Sequence, residues 1–219
     1  MVKIAPSVLA ADLISLKEEI RRIEEAGADL VHIDVMAGAF VPNITFGPEI
    51  VRAIRKITKL PLDVHLMINN PQKFIKPFLQ AGSDILTVHI EASGNIEEAI
   101  GLIKEGKKKA GIAINPKTPL LAIEEFLGKV DMVTVMSVHP GFAGQIFIPA
   151  VIPKIRELKD LITKRNLKVE IEVDGGINTT TAPEVIKAGA DILASGMGIF
   201  GSKDIKKAIK KLRTVIGER

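Results

Sequence analysis

One unit returns along this chain: a charged amphipathic stretch, a glycine, an aspartate, then an apolar run rich in β-branched residues. Its copies are Ala26-Gly27-Ala28-Asp29 before residues 30–34, Ala81-Gly82-Ser83-Asp84 before 85–91, and Ala188-Gly189-Ala190-Asp191 before 192–195. A looser copy, Gly128-Lys129-Val130-Asp131, precedes residues 132–138. The glycine suits the left-handed residue that closes a helix, and so short a link allows only a tight helix-to-strand turn. Helix and strand alternating in this way build a parallel sheet.

The same rule applied to the other apolar runs predicts eight strands, near 3–8, 30–35, 61–67, 84–90, 110–115, 131–137, 168–174 and 191–195. Helical patterns separate them near 12–26, 47–58, 71–81, 95–108, 119–127, 149–165, 179–189 and 203–216. Eight βα units in 219 residues point to a single-domain (β/α)8 TIM barrel spanning 1–219, near the lower size limit for that fold. A doubly wound open sheet would carry a glycine-rich turn after its first strand; here Ser7-Val8-Leu9-Ala10-Ala11-Asp12 stands instead. Two βα loops, 36–46 and 139–149, are long and rich in Gly and Pro, and are the lid candidates.

Composition narrows the function. Hydrophobic residues make up 47% of the chain, yet no run approaches the ~18 uninterrupted apolar residues of a membrane span. The net charge is +4, but the lysines lie on helical faces, and eight Phe with no Tyr or Trp leave little to stack on bases, so no nucleic acid is expected. Cysteine is absent, which excludes disulfides and thiolate metal sites. The opening Met1-Val2-Lys3-Ile4 runs straight into a strand, leaving no room for a signal peptide, and a cytoplasmic protein is expected.

Four strand-like runs carry a metal-competent side chain: Val31-His32-Ile33-Asp34, Asp63-Val64-His65-Leu66, Thr87-Val88-His89-Ile90 and Glu172-Val173-Asp174-Gly175. His32 and Asp34 stand two apart and so share a face. With His65 and Asp174 they would converge at the carboxyl edge of the barrel, where chemistry is done. Any one of them alone reads as a cap or a satisfied polar residue; together they form an N2O2 site for one divalent metal. Zinc or Fe(II) suits that donor set better than magnesium, with manganese and cobalt also in range. His89 and His139 are expected outside it. After strands seven and eight, Gly175-Gly176 and Gly196-Met197 would offer backbone N–H groups to a phosphate, the usual anion corner of phosphate-binding barrels.

At this point nearly the whole chain resembles the ribulose-phosphate 3-epimerase family. The likeness rests on Ile4-Ala5-Pro6-Ser7-Val8-Leu9-Ala10-Ala11-Asp12, His32-Ile33-Asp34-Val35-Met36, Phe40-Val41-Pro42-Asn43-Ile44-Thr45-Phe46-Gly47-Pro48 and Asp63-Val64-His65-Leu66-Met67. Val135-Met136-Ser137-Val138, Pro140-Gly141-Phe142-Ala143-Gly144-Gln145 and Glu172-Val173-Asp174-Gly175-Gly176-Ile177 complete it, in family order. The resemblance implies that His32, Asp34, His65 and Asp174 hold a divalent cation. It makes Asp34 and Asp174 the acid and base that interconvert D-ribulose 5-phosphate and D-xylulose 5-phosphate through a metal-stabilised enediolate. The expected partner is a small phosphorylated ketose, touched by Ser7, His65, Asp174, the lid residues Gly141, Phe142, Ala143 and Gly144, and the phosphate corner Gly175, Gly176, Gly196 and Met197. Met36, Met67 and Met136 would cap the reacting carbons, and a homo-oligomer is expected.

The chain departs from the family pattern in places. Met36-Ala37-Gly38 stands where Met-Asp-Gly is usual, Ala39 where a polar residue is common, and His139 where Asn is usual. Ala143 and Gly198 look like the allulose-6-phosphate 3-epimerase branch, whereas Gly175-Gly176 follows the ribulose-phosphate pattern. A metal-free decarboxylase or aldolase-like lyase would need a strand-end lysine. Of 30 Lys and Arg none falls in the carboxyl-terminal half of a predicted strand, Lys117 coming nearest. A non-catalytic sugar-phosphate binding barrel has only Ala37 in its favour.

Overall fold

The strands form in the apolar runs, and four of them stop at serine, aspartate or glycine, at Ser7, Ser137, Asp174-Gly175 and Ser195-Gly196. In the computed structural model, which describes residues 1–217, they are β1 (Lys3–Pro6), β2 (Val31–Met36), β3 (Leu62–Met67), β4 (Ile85–His89), β5 (Lys109–Ile114), β6 (Met132–Met136), β7 (Glu170–Asp174) and β8 (Ile192–Ser195). All pair in parallel in the order β1-β8-β7-β6-β5-β4-β3-β2, and a bridge between Ser7 and His32 brings the two ends of that sheet together. The fold is a (β/α)8 TIM barrel; positions 218–219 of the expected span lie outside the described residues.

The helices are α1 (Leu16–Glu25), α2 (Pro48–Arg55), α3 (Ile75–Ala81), α4 (Ile96–Glu105), α5 (Ile152–Lys164), α6 (Ala182–Ala188), α7 (Met197–Phe200) and α8 (Ile205–Val215). Two differences from the sequence pattern have physical reasons. The helix expected at 119–127 is instead a 3-10 turn at Leu120–Ile123 followed by further turns. Its buried residues Leu120, Ile123, Phe126 and Leu127 suit an α-helix and a run of tighter turns alike, so the apolar pattern alone does not separate the two. The one-turn helix α7 is too short to show any periodicity in the sequence.

Strand alternation sorts the side chains into two cores. Val31, Ile33 and Val35 of β2, like Val64 and Leu66 of β3, pack outward against the helices in the main apolar core. Inside the barrel, Ala5, Leu30, Ile85, Met132 and Ile192 form a separate apolar floor. Met36 and Met67 pack with Val41 into an apolar cluster at the opposite end. Between these layers lies a buried polar one, which includes His32, Asp34, Asp63, His65, Thr134, Glu172 and Asp174.

The repeated aspartates explain themselves at the amino end of the barrel. Asp29 Oδ2 accepts the Ile4 amide at 2.7 Å, Asp84 Oδ2 the Leu62 amide at 3.0 Å, Asp131 Oδ2 the Ala110 amide at 2.8 Å and Asp191 Oδ2 the Ile171 amide at 2.9 Å. Each aspartate enters an even-numbered strand and satisfies an amide near the start of the odd-numbered strand before it. Each is also held by a cation: Asp29 by Arg213, Asp84 by Arg55 and Lys108, Asp131 by Lys104 and Asp191 by Lys159.

Asp84 shows the energetic sign of this arrangement. Burial works to raise its pKa, but the hydrogen bonds from Lys108 and the Leu62 amide and the charges of Lys108 and Arg55 outweigh it, leaving the carboxyl below its ordinary value. A depressed folded-state pKa contributes stability that is present above about pH 4 and lost as pH falls through the folded value. Asp84→Ala should therefore cost about 1.5–3 kcal/mol at neutral pH, the worth of a charge-assisted bond to a buried amide. Asp84→Asn should flatten the acid limb of thermal stability. An Asn variant with the wild-type melting temperature and acid slope would contradict this role.

Candidate metal centre and substrate cavity

Register brings the polar side chains of neighbouring strands face to face. His32 pairs across from Asp63, Asp34 from His65, and Met36 from Met67; on the far wall Thr134 pairs with Glu172 and Met136 with Asp174. The result is one cluster in which ligand atoms of His32, Asp34, His65 and Asp174 all lie within 4.8 Å of one another. His32 Nε2 stands 3.3 Å from Asp34 Oδ1 and 3.7 Å from Asp174 Oδ2, and His65 Nδ1 stands 3.5 Å from each of those oxygens.

Two observations show that these residues fit a cation. The nitrogens facing the carboxylates, His32 Nε2 and His65 Nδ1, are buried and have no hydrogen-bond partner. Donors about 2.0–2.1 Å from a tetrahedral ion stand roughly 3.3–3.4 Å apart, close to the nitrogen–oxygen separations here. In the protein's own charges, burial would lower the pKa of both imidazoles. The Asp174 and Asp34 carboxylates facing its Nδ1 overcome this and push His65 up to about 9. Asp34, Asp63 and Glu172 raise His32 in the same way. Burial would raise Asp34, but the charges of His32 and His65 beside it hold it far below the carboxylate range. The site concentrates electrostatic attraction for positive charge, proton or metal.

Asp63 and Glu172 also belong to this centre, although the strand-run pattern alone gave them no role. Asp63 Oδ2 lies 2.7 Å from His32 Nδ1, while Glu172 Oε1 lies 3.4 Å from the same nitrogen and its Oε2 accepts from Thr134 Oγ1 at 2.8 Å. Burial and the Asp63 carboxylate push Glu172 up to about 7 against the pull of His32. The signal that could have found them is spacing: Asp63-x-His65 and Glu172-x-Asp174 repeat the two-residue step of His32-x-Asp34. His89 stays outside the four-residue cluster but touches it, its Nε2 lying 2.8 Å from His65 Nε2. His139 is exposed in the β6 loop.

Above the carboxylates opens a cavity of about 700 Å3, within the ~300–1,000 Å3 range of small-molecule sites. Asp34, Asp174, Ser7 and Met36, Met67 and Met136 line it, together with Gly141, Phe142, Ala143, Gly144, Gly175, Gly176, Gly196 and Met197. His32 and His65 are fully buried behind the carboxylates rather than on the cavity wall. Ser7 Oγ donates to Asp34 Oδ2 at 2.5 Å and so holds a carboxylate in place. Gly176 has φ +65°, and a Cβ there would stand 2.6 Å from the Phe147 backbone nitrogen, so only glycine fits. No described lining residue is Lys or Arg, so the cavity offers no side-chain amine for a Schiff base.

The loops over this cavity are ordered without the acidic residue missing at Ala37. Gly38 N–H donates to Asn43 O at 2.8 Å, Thr45 Oγ1 to Asp34 O at 2.6 Å, and Asn43 Nδ2 crosses to Gly141 O at 2.7 Å. Gln145 Nε2 donates within the loop after β6 to His139 O and Phe142 O.

A family model described as the ribulose-phosphate 3 epimerase family matches residues 3–200. The chain belongs to the ribulose-phosphate 3-epimerase family. It is 52% identical over 214 residues to the ribulose-phosphate 3-epimerase of Bacillus subtilis, covering 97% of this chain and 99% of that one. The enzyme of the same description from Aquifex aeolicus is 48% identical, with 99% and 97% covered, and that from Escherichia coli K12 is 40% identical, with 98% and 96% covered. Among solved structures, a 3-hexulose-6-phosphate synthase has a TM-score of 0.69 at 19% identity, covering 99% of this chain and all of that one. An orotidine 5'-phosphate decarboxylase from Pyrococcus horikoshii has a TM-score of 0.70 at 15% identity, with 99% of each covered. These distant likenesses show the shared barrel alone, whereas the epimerase relatives make the chain an isomerase of the epimerase type acting on a phosphorylated sugar. No described helix is long and apolar enough to cross a membrane.

A cation that binds the folded protein and not the unfolded chain raises stability by about 2.7 kcal/mol at 100 times its Kd. Zinc should therefore raise the melting temperature of metal-free protein, and His65→Ala or Asp174→Asn should abolish most of that shift. Equal shifts in wild type and both variants would place the zinc elsewhere.

Proposed function

We propose that the chain is a metal-dependent 3-epimerase that interconverts D-ribulose 5-phosphate and D-xylulose 5-phosphate, with Asp34 and Asp174 as the two proton-transfer groups. The observation that carries this is the pair of carboxylates that both line the cavity and both face the unpartnered nitrogens of His32 and His65. His32, Asp34, His65 and Asp174 would hold the cation. When bound, a divalent ion such as zinc or Fe(II) supplies polarisation of the C2 carbonyl and offsets the negative charge that develops as C3 loses its proton.

Inversion at C3 requires one proton to leave from one face and another to arrive on the opposite face. One carboxylate takes the C3 proton as the carbonyl electrons shift to oxygen, and the other, protonated, returns one to C3 from the opposite side. The Ser7 hydroxyl, donating to Asp34 Oδ2, keeps that carboxylate aimed into the cavity. Met36, Met67 and Met136 surround the reacting carbons with apolar surface, which excludes water from the planar intermediate. The phosphate would rest on backbone N–H groups at Gly175, Gly176, Gly196 and Met197, with residues 141–144 over the sugar.

A second reading, D-allulose 6-phosphate as substrate with the same chemistry, draws support from Ala143 and Gly198 and from a cavity of about 700 Å3. A cytoplasmic setting and self-association complete the proposal. The absence of cysteine supports the former, and exposed apolar side chains such as Ile14 and Ile44 support the latter. Turnover of both ketose phosphates by zinc- or iron-loaded protein decides between the substrates, with the five-carbon sugar expected to have the higher kcat/KM. Asp34→Asn and Asp174→Asn should each lose at least 100-fold in kcat, following the usual ~10²–10⁴-fold worth of a proton-transfer group. In deuterated water each variant should keep C3 exchange for only one epimer. Full activity in either variant would end the two-carboxylate mechanism.

A further inference from the structure

One hydrogen-bonded chain runs from the centre to the loops after β4 and β5 and is not used by the chemistry above. His65 Nε2 meets His89 Nε2 at 2.8 Å, His89 Nδ1 meets Glu91 Oε2 at 3.0 Å, and Glu91 Oε1 accepts both the Asn115 amide at 2.8 Å and the Thr118 hydroxyl at 2.5 Å. The loop that supplies those last two donors is itself fixed. Lys154 Nζ donates to the carbonyls of Asn115, Pro116 and Thr118 at 3.0, 2.7 and 2.6 Å. Both imidazoles are fully buried, and the His89 ring is further packed against Phe40 at 4.8 Å between centroids.

The direction of every bond follows from the far end. A backbone N–H can only donate, so Glu91 is anchored as an acceptor, and an ionised carboxylate accepts at both oxygens. His89 Nδ1 must then carry its hydrogen. A neutral imidazole has one N–H, so His89 Nε2 presents a lone pair and accepts from His65 Nε2–H. When His65 is neutral, as a metal ligand must be, that leaves its Nδ1 as the ring nitrogen with a lone pair to give. It is the atom found buried, unpartnered and 3.5 Å from both Asp34 and Asp174.

We propose that Glu91 and His89 are positioning residues for the metal centre, and that Glu91, acting through His89, sets the tautomer that turns the Nδ1 lone pair of His65 toward the ion. The proposal rests on the metal-centre reading above. His32 is oriented by direct contact with Asp63, whereas His65 is oriented through a second imidazole. Carboxylates that orient ligand histidines are a general feature of metal sites; here one would act at one remove.

Glu91→Gln tests this without changing size. The amide must place its oxygen toward the Asn115 amide and the Thr118 hydroxyl, so its NH2 faces His89 Nδ1. His89 should then move its hydrogen to Nε2, and that hydrogen would confront His65 Nε2 and drive the His65 proton onto Nδ1, the ligand atom. Nitrogen-15 NMR of metal-free protein should find the His89 hydrogen on Nδ1 in wild type and on Nε2 in Glu91→Gln. Zinc affinity, measured by competition with a chelator, should fall about 10- to 100-fold in Glu91→Gln, the usual worth of such outer partners. Glu91→Asp, smaller but still acceptor-only, should lose less. A merely structural role predicts the reverse order, since Gln matches Glu in shape and Asp does not. Wild type that binds no zinc would refute the metal-centre reading itself. Wild type that binds zinc while Glu91→Gln binds it equally, or a wild-type His89 with its hydrogen on Nε2, would overturn the inference.

Discussion

A layer of ionisable side chains is buried across the middle of the barrel, and the rest of the structure is arranged around holding it there. Each charge removed from water costs several kcal/mol unless partners replace the solvent. The apolar floor closes this layer on one side, and a cluster of Met36, Met67 and Val41 covers part of the other. Within it Asp63 meets His32, Glu172 meets Thr134, Asp34 meets Ser7, and His65 meets His89. Two imidazole nitrogens left without partners face the two carboxylates. Such unsatisfied buried atoms are costly in a finished core and call for a ligand. The cluster offers four donor atoms compatible with one divalent cation.

The two ends of the barrel solve different problems with the same residue type. At the amino end, aspartates accept strand amides and pair with Lys or Arg, so each carboxylate is consumed by the fold. At the carboxyl end, Asp34 and Asp174 each keep an edge on the cavity and meet no Lys or Arg among the described lining residues. Stability and chemistry are thus separated along the strand axis, as the barrel architecture allows.

Much of this was legible in the sequence because strands repeat every two residues and helices here are short and well stopped. The Gly-x-Asp units mark helix ends and strand starts, and all eight strands fall within three residues of their expected limits. The turns after β5 were not legible as such, because buried Leu120, Ile123 and Leu127 keep the spacing of a helix, and α7 is only one turn long. At the site, the two-residue step places His32 and Asp34 on one face, but depth in the barrel depends on register between strands. His65 pairs with Thr87 rather than with His89, so His89 sits one step further along its strand and approaches His65 from the side. His32 pairs with Asp63, which puts that aspartate behind the ligand rather than beside it. Neither relation can be read from one strand alone.

The account stands or falls on where a divalent ion sits. A crystal of zinc-loaded protein, with data collected on either side of the zinc absorption edge, locates the ion directly. One strong anomalous peak is expected, bonded to His32 Nε2, His65 Nδ1 and the carboxylates of Asp34 and Asp174. No peak there, or a peak bonded instead to His32 Nδ1, Asp63 and Glu172, would contradict it.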